Sequence, residues 1–88
     1  MSIASVLEAL REEYRPTLRE EANRLRAAIE VEDWPAARRI SHRLAGTGGS
    51  YGFKEASAAA RAIEEAIDEA PPNARAIAEA LALLEAST

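Results

Sequence analysis

Eighty-eight residues, 48% hydrophobic and 30% charged, are enough for one small core but not two, and too apolar for a disordered tail; no apolar run reaches the roughly 20 residues that span a bilayer. With no cysteine and one histidine, disulfides, thiolate nucleophiles, cysteine zinc sites and multi-histidine metal sites are excluded. A net charge of −4 argues against a nucleic-acid backbone as the main partner and gives no reason to expect a membrane one. Residues 1–88 therefore read as a single domain. The first ten residues include Glu8 and lack a basic n-region, a long apolar stretch and a small-residue cleavage site, so no secretory signal is read and the cytoplasm is the expected location.

Alanine is abundant, β-branched runs are missing and apolar residues recur at helical spacing, which predicts an all-α chain. Ile3, Leu7, Leu10 and Tyr14 follow a 4, 3, 4 spacing, and Leu18, Ala22, Leu25 and Ile29 repeat it after Pro16. Pro16 either kinks one long helix or opens a second. Val31-Glu32-Asp33 reads as a turn, with Asp33 as N-cap and Pro35 in the first turn of a helix from about Trp34 to Ser50. Gly52 suits a sharp turn into a helix of about Glu55 to Glu69, packing through Ala56, Ala59, Ile63, Ala66, Ile67 and Ala70. Pro71-Pro72 ends it, Asn73 caps the last helix, and Ile77, Leu81 and Leu84 form that helix's stripe. Short connections make neighbours antiparallel. The expected architecture is an antiparallel up-down four-helix bundle, with residues 2–14 as an extra N-terminal helix covering one end.

Bundle packing does not explain the segment from Ile40 to Phe53. Gly46, Gly48 and Gly49 fall where a helix is expected, at about 0.8 to 1 kcal/mol each relative to alanine. Either the helix ends near Ala45 and the glycines form a loop, or one helix face has been stripped of side chains. On the second reading the core stripe runs through Trp34, Ala37, Ile40, Leu44 and Tyr51, and His42 lies about 200° around the axis from Ile40 and Leu44, facing solvent. Helical side chains lean toward the N-terminus, so positions 45 and 46 would cover the imidazole. They hold Ala45 and Gly46, and Gly49 extends the bare strip. Positive charge is concentrated here: Arg38, Arg39, Arg43 and Lys54 lie between Trp34 and Lys54 with no acid among them, leaving 7 of the 11 basic residues to face all 15 acidic ones elsewhere. Such a face can hold an anionic group and admit a macromolecule.

Enzymatic alternatives find little support. Ser41 and Ser50 share a single histidine, no strand-turn-helix elbow is present, and the glycines do not match a nucleotide loop, since Tyr51 stands where the second motif glycine belongs and no Lys-Ser/Thr follows.

His42-Arg43-Leu44-Ala45-Gly46, with Gly52-Phe53 closing the stretch, resembles the phosphorylation motif of histidine-containing phosphotransfer (HPt) domains of two-component phosphorelays. The similarity extends to the acidic turn and tryptophan before the helix, the glycine turn, the alanine-rich helix and the overall length. It implies that His42 is the phosphoacceptor, that Gly46 clears space for a docking partner and that Gly52 makes the interhelical turn. It also implies a phosphocarrier rather than an autonomous enzyme, partnered by a response-regulator receiver domain or a hybrid histidine kinase. No cofactor of its own is expected, Mg²⁺ belonging to the receiver. Many members carry lysine three residues after the histidine; here that position is Ala45, which leaves Arg43, Arg39, Arg38 and Lys54 as candidates for stabilising the phosphoryl group. The competing reading is a helical module that docks a receiver or a partner helix without being phosphorylated.

Overall fold

The structure, a computed structural model, describes residues 2–88. Four helices follow one another: α1 (Ile3–Glu30), α2 (Trp34–Ser50), α3 (Lys54–Ile67) and α4 (Ala74–Ala86), with no strand among the described residues. Side-chain pairings fix their directions. Glu21 meets Arg43 and Tyr14 meets Thr47, so α1 and α2 run antiparallel. His42 meets Glu64 and Arg38 meets Asp68, so α2 and α3 do too, and Arg26–Glu85 returns α4 alongside α1.

The core is aliphatic and small. Leu18, Leu25, Leu44, Ile63, Ile77 and Leu84 are fully buried, and alanines fill most of the remaining space. The expected stripes of α3, α4 and the part of α1 after Pro16 are the ones buried, except that Ile29 is half-buried and Ala70 exposed; of the stripe expected before Pro16, Tyr14 is half-buried and Ile3, Leu7 and Leu10 are exposed. Asp33 and Asn73 cap α2 and α4, accepting from the Ala36 and Ala76 amides at 3.2 and 3.1 Å.

Residues 2–14 do not form a separate helix over one end. α1 runs unbroken from Ile3 through Pro16 to Glu30, and at 1.5 Å per residue its 28 residues account for about 42 Å of the molecule's 50 Å length. Proline is tolerated because Pro16 is exposed, about 180° around the axis from Leu7 and Leu25, so the carbonyl it deprives of a donor can bond water. Tyr14 sits level with the end of α2, its hydroxyl donating to Thr47 Oγ1 at 2.8 Å and its ring stacked on Tyr51. Arg11 still lies over the Phe53 ring, 4.8 Å from its centroid; before it α1 projects past the bundle, and Ile3, Val6, Leu7 and Leu10 are exposed.

Two turns end their helices in the same way. In the first, the Asp33 amide bonds the Ala28 carbonyl and the Glu32 amide that of Ile29; in the second, Phe53 bonds Gly48 and Gly52 bonds Gly49. Each needs a left-handed residue, supplied by Glu32 (φ 55°) and Gly52 (φ 82°). The Gly52 turn folds α3 back along α2 and sets which residues of the two helices face each other.

Candidate functional site

All three glycines after Ala45 are helical, since α2 continues to Ser50; the loop alternative does not hold. Its buried face differs from the expected stripe. Ala37, Ser41, Leu44, Ala45 and Gly48 are buried, whereas Trp34 and Ile40 are half-buried and Tyr51, just beyond the helix, is exposed. Small residues bring α3 close: the Ser57 hydroxyl donates to the Ala45 carbonyl at 2.6 Å, while Ser41 donates to Ala37 within its own helix. A stripe built on serine, alanine and glycine carries little hydrophobic signal, which is why spacing of the larger residues misplaced it.

This packing leaves His42 outward with its side chain 75% exposed. Its ring is held nonetheless. Nδ1 lies 3.0 Å from Glu64 Oε2 and 3.3 Å from Oε1. Glu64 stands on α3 with its side chain only 15% exposed. An ionised carboxylate can only accept, so the contact assigns the ring proton to Nδ1 and leaves the Nε2 lone pair unused.

Around the ring the expected clearing is partly made. Gly46 is exposed, and a Cβ added there would meet nothing within 4 Å. At Gly49 a Cβ would come within 3.3 Å of Ser57 Oγ, so that glycine also serves the approach of α3. Ala45 is not part of the clearing: it is buried against α3.

The four basic candidates separate. Arg38 bonds Asp68 through Nε and Nη2 at 2.7 and 3.2 Å, with Nη2 3.4 Å from Glu64 Oε2. Hydrogen bonding to Asp68 holds the Arg38 guanidinium above its ordinary range, and Arg38 in turn holds the Asp68 carboxyl below the usual carboxylate range. Arg43 turns toward α1, where Nη2 donates to Glu21 at 2.8 Å. Arg39, exposed one turn before His42, has no acidic partner among the described residues, and neither has Lys54. Lys54 is not brought to His42, because it precedes Glu64 by ten residues, or about 15 Å along α3.

A family model described as Hpt domain matches residues 9–87, nearly the whole chain. The chain belongs to the Hpt domain family. Hpt domains are helical phosphocarrier modules of two-component phosphorelays, working with receiver domains and histidine kinases rather than as enzymes in their own right. No curated protein and no solved structure matches the chain. Among the described residues of this Hpt domain, no helix is long and apolar enough to cross a membrane.

Sequence reasoning missed Glu64. Its signal lay in register: a tight turn at Gly52 between two antiparallel helices sets a residue ten before the turn against one about ten to twelve after it. Glu64 is the acid at that distance whose side chain faces α2.

Proposed function

We propose that this Hpt domain accepts a phosphoryl group on Nε2 of His42 and exchanges it with the aspartate of a receiver domain, free-standing or part of a hybrid histidine kinase. The observation that carries this reading is the held but open ring: Nδ1 engaged by a carboxylate, the rest of the side chain 75% exposed, and open space over Gly46.

The chemistry follows from that arrangement. Nε2 donates its lone pair to phosphorus, the P–O bond to the receiver's aspartate breaks, and the aspartate leaves as a carboxylate. The ring becomes positively charged as it attacks, and the Glu64 carboxylate on Nδ1–H stabilises that charge. Transfer back reverses each step. In-line transfer also needs a metal to spread phosphoryl charge, and in this reading the receiver's own carboxylates hold it. Arg39 takes over the work of the family lysine. It has no acidic partner among the described residues and stands one turn from the ring, whereas Arg38 and Arg43 are engaged by Asp68 and Glu21. The working compartment is the cytoplasm.

Incubating the protein with phosphorylated receiver domains tests the assignment. Acid-labile, alkali-stable label is expected on the parent and none on His42→Gln. Label that persists on His42→Gln refutes the site, and a receiver that binds without ever transferring label makes the protein a docking module only.

A further inference from the structure

Resting on the reading of His42 as phosphoacceptor, a second question is what keeps its ring in the attacking form. Arg38 and His42 lie four residues apart on α2, and Glu64 and Asp68 lie four apart on α3, so the antiparallel pair brings all four together as two adjacent rungs. One oxygen is shared between them. Glu64 Oε2 is 3.0 Å from His42 Nδ1 and 3.4 Å from Arg38 Nη2. The guanidinium is itself fixed, because its Nε and Nη2 form a fork on the two oxygens of Asp68 at 2.7 and 3.2 Å.

A neutral imidazole in water prefers its proton on Nε2, the tautomer that cannot attack phosphorus from that atom. An acceptor held against Nδ1 keeps the proton there and frees Nε2. Glu64 is largely enclosed between α2 and α3, and its Oε2 lies between His42 Nδ1 and Arg38 Nη2, so where the carboxylate points depends on both. Arg38 steadies that oxygen, and the planar fork on Asp68 gives the guanidinium a set direction that a flexible ammonium would lack. Arg39 has no acidic partner among the described residues, and Arg43 faces Glu21 of α1. Neither shares Glu64.

We propose that Arg38 is a positioning residue for His42: acting through Glu64, and anchored by Asp68, it holds the imidazole as the Nδ1–H tautomer with the Nε2 lone pair directed outward. The competing account makes Arg38 a surface tie between α2 and α3. That account moves stability but leaves the ring proton where it was.

Because the chain holds a single histidine, ¹⁵N-histidine labelling of these 88 residues yields one ring whose two nitrogens report protonation directly. At a pH where the ring is neutral, the parent is expected to show Nδ1 protonated and Nε2 bare. Arg38→Gln should lower the ratio of the Nδ1–H to the Nε2–H form at least threefold, with the helical spectrum unchanged since Arg38 is exposed. Arg38→Lys, which keeps the charge but not the fork, should recover part of the loss. A ring in Arg38→Gln indistinguishable from the parent overturns the proposal, as does an Arg38→Lys ring identical to that of Arg38→Gln. This readout needs no phosphoryl donor, so it can fail or succeed independently of the phosphocarrier assignment.

Discussion

Substitution of Gly46 separates what the helix wants from what the site wants. The position is exposed and lies inside α2, its backbone is ordinary helix, and a Cβ there meets no atom within 4 Å. Gly46→Ala should therefore recover the whole propensity difference, about 0.8 to 1 kcal/mol, which in a domain of this size raises Tm by roughly 4 to 8 °C. Gly46→Leu keeps nearly all of that gain, but its side chain leans back over the turn that carries His42. Crowding a close-packed contact costs about 1 to 3 kcal/mol, so transfer from a phosphorylated receiver should lose about fivefold to over a hundredfold in kcat/KM, chiefly through KM. Thermal melts at 222 nm and single-turnover transfer measured on the same two variants read both effects. Gly49→Ala is the internal control, since its Cβ meets Ser57 Oγ at 3.3 Å and its stability gain should be smaller. Unchanged transfer in Gly46→Leu, or a lowered Tm in Gly46→Ala, would refute the account of this glycine.

Two further expectations concern the scaffold. Glu32 holds a left-handed conformation (φ 55°) at a helix end that the equivalent turn gives to Gly52, so Glu32→Gly should stabilise by about 0.5 to 1 kcal/mol, read as a higher urea midpoint at unchanged m-value. The second concerns acid. Arg38 and Arg26 hold the Asp68 and Glu85 carboxyls below their ordinary range in the folded chain. A depressed folded value means that the stabilisation is fully present above the unfolded carboxylate range, near pH 4 to 4.5, and is lost as pH falls through the lower folded values. The double variant Asp68→Asn, Glu85→Gln should thus lose stability at pH 7 and converge on the parent near pH 2, seen as a shallower slope of Tm against pH; parallel curves would contradict it.

The helices, their caps and the outward face of His42 were legible because each rests on local physics: spacing of large apolar residues, Asp33 and Asn73 before helical runs, glycine where a left-handed residue closes a turn. What was not legible depended on the partner surface. Pro16 marks a local penalty, but whether a helix ends there depends on what surrounds it, and here Pro16 and Glu12, one turn before it, both lie on the exposed face. Ser41, Ala45 and Gly48 carry no hydrophobic signal, so the inward turn of Ala45 follows only from how closely α3 approaches. The candidate arginines looked equivalent from composition. Only the acids of α1 and α3, distant in sequence, separate Arg38 and Arg43 from Arg39.

The absence of the family lysine and the burial of Ala45 are aspects of one arrangement. A lysine at 45 would have to leave the crowded seam where the Ser57 hydroxyl meets the Ala45 carbonyl at 2.6 Å, and a long charged stem there would push α3 away from α2. Moving α3 would in turn carry Glu64 away from His42, because the two helices meet through small residues along their length and behave as a close-packed unit. With alanine at 45 the helices close tightly enough for a carboxylate on α3 to reach the imidazole directly, and Arg39, the cation proposed above for the phosphoryl group, is exposed and disturbs no packing. On the proposed role of Arg39, a tighter seam and a relocated cation answer the same constraint. Restoring lysine at position 45 should weaken the His42–Glu64 contact rather than strengthen the site.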